Sequence, residues 1–170
     1  RLCEELQALS LDGFHYPQAY LDSHFIEVDH QMVLMSKVKG SPETFDSERF
    51  HQRLCQLKHE DCTWPIYDRT LHDCVDHQIH VTKPIVVIEG NWLLLDEKPW
   101  NEYVKYADYT VMIHADRAIL KQRLIERKVL GGLSLAAATS FYESSDCLNC
   151  ERVMQHSLKA DSEIDEKSMR

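Results

Sequence analysis

Two acidic residues each follow a short apolar segment and precede a glycine. Asp12 comes after Leu9–Leu11, and Glu89 comes after Ile85–Ile88. In an open α/β sheet, ligands bind beyond the carboxyl ends of the strands, and glycine lets backbone or ligand approach closely. One carboxylate there could orient and deprotonate a hydroxyl, and the other could hold a divalent metal. Either acid alone is typical of a turn or a helix N-cap, but their equivalent positions favour a functional site.

Two arginines lie one helical turn apart in a segment with an amphipathic pattern. Arg123 and Arg127 share a face at i,i+4. Guanidinium groups neutralise the charge that develops in phosphoryl transfer and bind phosphate oxygens in a bidentate manner. Taken alone, the pair is typical of a solvated helix face with Glu126 as a partner, so the phosphate interpretation depends on the two acids.

The surrounding pattern alternates strands with helices. Runs of β-branched residues at 84–88 and 109–113 predict strands buried on both faces of a parallel sheet, and Leu9–Leu11 predicts a shorter one. Helices are predicted over 1–8, from a cap at Thr44 or Asp46, over 116–130 and from Ser134 to 143. This order predicts one doubly wound α/β domain over 1–155, with an acceptor-binding insertion around 14–82 and a polar tail at 156–170.

Composition limits the classes of function. The chain has 170 residues, and 19 Lys+Arg against 28 Asp+Glu give a net charge of −9, which argues against broad nucleic-acid binding. No run approaches the roughly 18 apolar residues of a membrane span, and no signal-peptide pattern opens the sequence. We therefore expect a cytoplasmic protein whose six cysteines are reduced thiols. Because it begins at Arg1, we expect it to be a piece of a longer protein.

A CxxC motif provides a different hypothesis. Cys147 and Cys150 are followed by His156. Structural zinc sites need four ligands and usually two such pairs, and the sequence contains no second CxxC pair. A zinc-stapled interaction domain is therefore the weaker alternative.

Five segments, in this order and spacing, resemble a known family. The sequence is similar to the branch of P-loop kinases that contains uridine kinase, pantothenate kinase and phosphoribulokinase, and is most like bacterial uridine kinase-like proteins. The resemblance covers residues 9 to about 155. The matching segments are LDGFH (11–15), KGSPETFD (39–46), WPIYDR (64–69, with His72 and Asp73), VIEGNWLLLD (87–96) and RLIERK (123–128).

The resemblance implies roles for particular residues. Asp12 matches the acid that accepts the proton of the substrate hydroxyl, and Glu89 matches an acid associated with Mg²⁺ and its water shell. Arg123 and Arg127 match a lid helix that closes over the phosphates of ATP. The residues that match acceptor-pocket segments are His15, Tyr16, Lys39, Phe45, Tyr67, Arg69 and His72. The implied ligands are ATP, Mg²⁺ and a small hydroxyl acceptor, and relatives often form dimers or tetramers.

One part of the family pattern does not occur in these 170 residues. The phosphate loop has the pattern G-x-x-x-x-G-K-[ST], but none of the five glycines precedes a lysine. The sequence therefore predicts a parallel-sheet, P-loop NTPase-like α/β fold without its first strand and phosphate loop, which we expect upstream of Arg1. We expect a parent ATP-dependent phosphotransferase acting on a nucleoside, sugar or pantothenate-like acceptor, and negligible turnover by this chain alone. The alternative is a kinase-derived binding module without nucleotide chemistry.

Overall fold

A computed structural model of the chain describes residues 5–28, 30–59 and 62–166. The strands in these ranges are β1 (Leu6–Ser10), β2 (Phe25–Val28), β3 (Gln31–Leu34), β4 (Thr63–Asp68), β5 (Asp73–His80), β6 (Ile85–Glu89), β7 (Val111–His114) and β8 (Ser162–Asp165). The α-helices are α1 (Gln18–Leu21), α2 (Ser47–Leu57), α3 (Arg117–Leu130), α4 (Leu135–Phe141) and α5 (Cys147–Gln155). None of the helices within these ranges has the length and apolarity to cross a membrane.

Two parallel strand pairs form the sheet elements of the α/β fold. β1 pairs with β6, with Leu6 opposite Ile85 and Ser10 opposite Glu89. β7 pairs with β8, with Val111 opposite Ser162. The prediction of a helix over 1–8 is wrong from Leu6 onward, where β1 begins. Pairing with β6 outweighs the helix-like spacing of the leucines there. Residues 1–4 lie outside the described residues.

The strands are less buried than the sequence predicts. Leu9 is fully buried, but Val87 is 45% exposed and Ile113 is 58% exposed. The prediction that β6 and β7 are buried on both faces is therefore wrong for the described part of the chain. A β-branched run satisfies the strand geometry even where one face of the sheet is open.

The segment 14–82 contains two antiparallel hairpins, β2–β3 and β4–β5, together with α1 and α2. The Asp46 carboxylate caps α2 by accepting a hydrogen bond from the Arg49 amide at 3.0 Å, as the sequence predicts. Phe14 packs edge-on against Trp64 and Phe50, at ring-centroid distances of 4.9 and 5.2 Å. Trp64 of β4 is fully buried, so the β4–β5 hairpin contributes directly to the hydrophobic core.

Local capping signals locate the later helices, but the last strand depends on distant contacts. Asp116 caps α3 and Ser134 caps α4, through hydrogen bonds of 2.8 and 3.2 Å to backbone amides. A π-helical turn at 142–146 joins α4 to α5. β8 lies inside the segment expected to be a polar tail: the Asp161 carboxylate accepts hydrogen bonds from the amide and hydroxyl of Thr110, at 2.8 and 2.7 Å, and brings the strand to β7.

Candidate active site

The carboxyl ends of β1 and β6 bring Asp12 and Glu89 to one cavity. Ser10 is opposite Glu89 in the ladder, and its hydroxyl accepts a hydrogen bond from the Asp12 amide at 3.1 Å. Both acids line a cavity of about 290 Å³, whose walls are formed by Ala8, Ser10, Asp12, Pro65, Ile66, Tyr67, Arg69, Ile79 and Glu89. The structure thus places at one cavity the two carboxylates that the sequence places at two strand ends.

Close backbone packing positions Asp12. A Cβ atom at Gly13 would lie 2.6 Å from the carbonyl carbon of Pro65, so the turn after β1 rests directly on β4. The indole N–H of Trp64 also donates a 2.8 Å hydrogen bond to the Ser10 carbonyl. The cavity wall and the turn that carries Asp12 are therefore held together by contacts that leave no room for a side chain at Gly13.

His15 occupies a buried position beside Asp12. Its ring packs on Phe45 at a centroid distance of 3.8 Å and lies 5.7 Å from the Tyr67 ring. Burial lowers the pKa of His15, with the charge of Lys39 acting in the same direction, so the ring is neutral. Its Nδ1 lies 2.9 Å from the Asp12 carbonyl and donates the hydrogen, which leaves Nε2 as an acceptor.

Lys39 brings three separate segments together. Its ammonium group donates hydrogen bonds to Gln18 Oε1 at 2.8 Å, the Tyr67 hydroxyl at 3.0 Å and the His72 carbonyl at 3.4 Å. The neighbouring Gly40 has φ +104°, which favours glycine, and its carbonyl accepts a 3.1 Å hydrogen bond from the Trp92 indole. These contacts fix Lys39 beside the Tyr67 wall of the cavity.

Three other residues of the predicted acceptor pocket have separate contacts. Phe45 is buried and packs on Trp100 as well as on His15. Tyr16 stacks on Tyr20 at 4.4 Å, and burial raises the pKa of its hydroxyl. Arg69 lines the cavity from the turn between β4 and β5.

Arg123 and Arg127 are not among the residues that line the cavity. Both lie on α3 as predicted, and Arg123 forms an ion pair with Glu166 near the end of the described chain. Their role at the phosphates of ATP stays a prediction.

Two neighbours of the site were not identified from the sequence as site residues. Gln18 binds Lys39, and the Cys74 thiol donates to the His15 carbonyl at 3.3 Å. Burial raises the pKa of Cys74 to about 11, so the thiol is protonated at neutral pH and serves packing and hydrogen bonding. Neither residue belongs to a recognisable motif, and their partners lie 21 and 59 residues away.

The CxxC cysteines lie on a different part of the fold. Cys147 and Cys150 are free thiols of α5. Among residues 5–28, 30–59 and 62–166, no group of three or more His, Cys, Asp or Glu side chains is arranged to hold a metal ion.

Parallel strands with carboxylates at their carboxyl ends, beside a segment of two antiparallel hairpins, form an α/β architecture, and solved P-loop kinases share this fold. A candidate fructose transport system kinase from Silicibacter sp. TM1040 matches with a TM-score of 0.84 and 28% identity, over 93% of this chain and 74% of that one. YFH7 from Saccharomyces cerevisiae, a candidate P-loop kinase with a circular permutation, matches with a TM-score of 0.76 and 25% identity, over 95% and 57%. The predicted P-loop NTPase-like α/β fold is confirmed.

Curated relatives identify the branch. The uncharacterised protein YggC of Escherichia coli is 44% identical over 155 residues, which cover 91% of this chain and 62% of YggC. A pantothenate kinase of Listeria monocytogenes is 32% identical over 72% of this chain and 39% of its own length, and a uridine kinase candidate of Schizosaccharomyces pombe is 27% identical over 76% and 55%. No protein-family model matches the sequence. The chain is a relative of the P-loop kinases in the branch of uridine kinase and pantothenate kinase. It spans less than two thirds of the length of each of these three relatives.

Proposed function

We propose that this chain supplies the acceptor-binding and catalytic part of an ATP-dependent kinase that phosphorylates a hydroxyl group of a small molecule. The observation that carries the proposal is the shared cavity of Asp12 and Glu89 at the ends of β1 and β6. Kinase-named relatives support the same reaction class. Nucleoside, sugar and pantothenate-like acceptors all fit a site of this composition.

The two carboxylates have different roles in this proposal. Asp12 accepts the proton of the acceptor hydroxyl as that oxygen attacks the phosphoryl group. Glu89 would hold Mg²⁺ through its water shell, because this ion retains several waters and needs only one or two protein carboxylates beside the substrate phosphates. The donor set fits, because both acids offer hard oxygen ligands at a cavity wall. Bound Mg²⁺ would neutralise charge on the phosphates of ATP.

The acceptor side of the site provides rings and neutral hydrogen-bonding groups. His15 Nε2 can accept a hydrogen bond because Nδ1 carries the hydrogen, Tyr67 has a hydroxyl group, and Phe45 packs on the His15 ring. Such groups orient a polyol or a nucleoside by stacking and by hydrogen bonds to hydroxyls. Arg123 and Arg127 would stabilise transferred charge if α3 closes over bound ATP.

A second candidate function is a binding module derived from a kinase. It is favoured by one observation: none of the glycines in the 170 residues precedes a lysine, as a phosphate loop requires. Binding of an acceptor by the natural full-length protein, without ATP turnover, would favour this function over phosphoryl transfer.

The test is a metabolite screen with the natural full-length protein, ATP and Mg²⁺, comparing the wild type with Asp12→Asn. Loss of a general base lowers rates by about 10²- to 10⁴-fold, so we expect kcat to fall by at least about 100-fold. Asp108→Asn is the matched control, because Asp108 pairs with Lys58 at the surface. A rate for Asp12→Asn within about threefold of the wild type would exclude Asp12 as the base.

A further inference from the structure

Two thiols that the proposed reaction does not use lie on one face of a helix. Cys147 and Cys150 are three residues apart in α5, and both are free and half-buried. Residues three apart in an α-helix face the same way, with Cα atoms about 5 Å apart. That separation falls within the range that a disulfide bridges. No other two cysteines of the sequence are this close along the chain.

An undisturbed helix holds the two side chains slightly too far apart for that bond. Neighbouring Cβ atoms on a helix face are about 5–6 Å apart, whereas a disulfide needs about 3.5–4.5 Å. The π-helical turn at 142–146 directly precedes Cys147. Because a π turn contains one residue more than α-helical geometry requires, the winding of the helix can change at this junction. The first turn of α5 is therefore where a disulfide would alter the backbone.

The surroundings of the two thiols favour different roles for them. Burial, together with the charge of Asp146, raises the pKa of Cys150, which therefore stays protonated at neutral pH. This favours Cys147 as the thiol that reacts first with an oxidant and Cys150 as the thiol that closes the bond. Tyr142 lies beside them as a neutral group, since burial and the Cys147 thiol raise the pKa of its hydroxyl to about 12.

The same turn of α5 lies against the segment that contains Gly40. A Cβ atom at Gly40 would lie 3.8 Å from the side-chain nitrogen of Asn149, so these two residues are direct neighbours. Three residues further on, Arg152 donates a hydrogen bond to Glu43 at 2.8 Å. Asn149 lies inside the ring that a disulfide between the two cysteines would close. Tightening that ring would therefore move a residue that packs on Gly40.

We propose that hydrogen peroxide oxidises Cys147 and Cys150 to a reversible disulfide, and that this bond loosens the segment 39–44 by displacing Asn149. The first thiol attacks the O–O bond of the peroxide, which gives a sulfenic acid and releases one water. The second thiol attacks the sulfenic sulfur, the S–S bond forms, and the hydroxyl group leaves as a second water. A reducing thiol restores both cysteines. This inference does not depend on the proposed kinase function.

Peptide mass spectrometry tests the bond itself. Trypsin cuts after Lys128 and Arg152, so both cysteines fall in one peptide, 129–152. After treatment with peroxide and alkylation of the remaining thiols, we expect this peptide to be free of alkyl groups and about 2 Da lighter than its reduced form. Dithiothreitol should reverse the change. The matched control is Cys55→Ser, which removes a half-buried thiol of α2 and should leave the disulfide in 129–152.

Hydrogen exchange tests the effect on the segment 39–44. The backbone amides of Gly40 and Ser41 donate hydrogen bonds to Thr44 Oγ1 at 3.0 Å and to the Val38 carbonyl at 2.9 Å. These amides should exchange at least about 10-fold faster in the oxidised protein than in the reduced one, because their local opening becomes easier. The amides of the β4–β5 hairpin should exchange equally in both. In Cys150→Ser, peroxide should leave the exchange of Gly40 and Ser41 unchanged.

Each outcome bears on the inference. A 129–152 peptide that stays alkylated after peroxide, or that carries sulfinic acid instead of a disulfide, would overturn it. A disulfide that leaves the exchange of Gly40 and Ser41 unchanged would also overturn it, because the bond would not act on the segment. Equal acceleration in the wild type and in Cys150→Ser would assign the effect to another residue and overturn it too. Faster exchange that appears only with the disulfide, and that dithiothreitol reverses, would support it.

Discussion

Replacing Gly13 by alanine tests the packing that holds Asp12 at the cavity. The new Cβ atom would lie 2.6 Å from the Pro65 carbonyl carbon and 3.0 Å from the Ile66 nitrogen, well inside ordinary van der Waals contact. Both atoms belong to the backbone of β4, so no side chain can rotate to relieve the clash. Either the turn after β1 or strand β4 has to move.

The size of the effect follows from these contacts. Overpacking a well-packed site costs about 1–3 kcal/mol, and a clash with backbone lies at the upper end, about 2–3 kcal/mol. For a chain of this length, that loss lowers the melting temperature by about 5–10 °C. Urea unfolding followed by tryptophan fluorescence measures the change in the free energy of unfolding, because Trp64 is buried next to Pro65.

Gly131→Ala is the matched control. A Cβ atom at Gly131 would have its nearest contacts at 3.4 and 3.5 Å, which are ordinary distances, and we expect a change within about 0.5 kcal/mol. If Gly13→Ala and Gly131→Ala unfold at the same urea concentration, the turn does not rest on β4. The stated position of Asp12 relative to the cavity wall would then be wrong.

Two further predictions concern protons and nucleotides. Burial lowers the pKa of His15 below its ordinary value near 6.5. Below pH 6.5 the unfolded chain therefore binds a proton at His15 that the folded chain does not bind. The free energy of unfolding should be greatest above pH 6.5 and should fall as the pH drops towards the pKa of the folded chain. The loss in free energy of unfolding between pH 7.5 and 5.5 should therefore be smaller in His15→Gln than in the wild type or in His77→Gln, and equal losses would contradict a neutral buried His15. Calorimetric titration of this chain with ATP should give a dissociation constant weaker than about 1 mM, because none of its glycines precedes a lysine, whereas micromolar affinity would refute that expectation.

Local signals in the sequence were sufficient for several elements of the fold. Asp46, Asp116 and Ser134 begin helices because a side-chain oxygen next to an amphipathic segment satisfies free amides. β8 could not be predicted in this way, since its composition is polar and Asp161 binds Thr110 from 51 residues away. The start of β1 was also missed, because the pairing of Leu6 with Ile85 is a tertiary interaction.

Some features of the candidate site could likewise be predicted from the sequence, and others could not. The position of Asp12 and Glu89 at one cavity follows from a general rule about strand ends, which needs only the strands and the residues after them. The grouping of Lys39, Tyr67 and His72 came from family resemblance, and Gln18 was not identified because its contact with Lys39 has no sequence signature. The absence of Arg123 and Arg127 from the cavity walls could not be foreseen, because spacing gives the face of a helix but not its direction in the fold.

The segment after β6 connects both sides of the proposed reaction. Glu89 ends the strand, and three residues later the buried Trp92 donates its indole hydrogen to the Gly40 carbonyl, next to Lys39. Arg152 lies over the Trp92 ring and binds Glu97 and Glu43, so the same segment is also tied to the residues that follow Gly40. Glu89, which is proposed for the metal, and Lys39, which belongs to the predicted acceptor pocket, therefore share one short support. A substitution of Trp92 would disturb both groups, so its effect could not be assigned to either one alone.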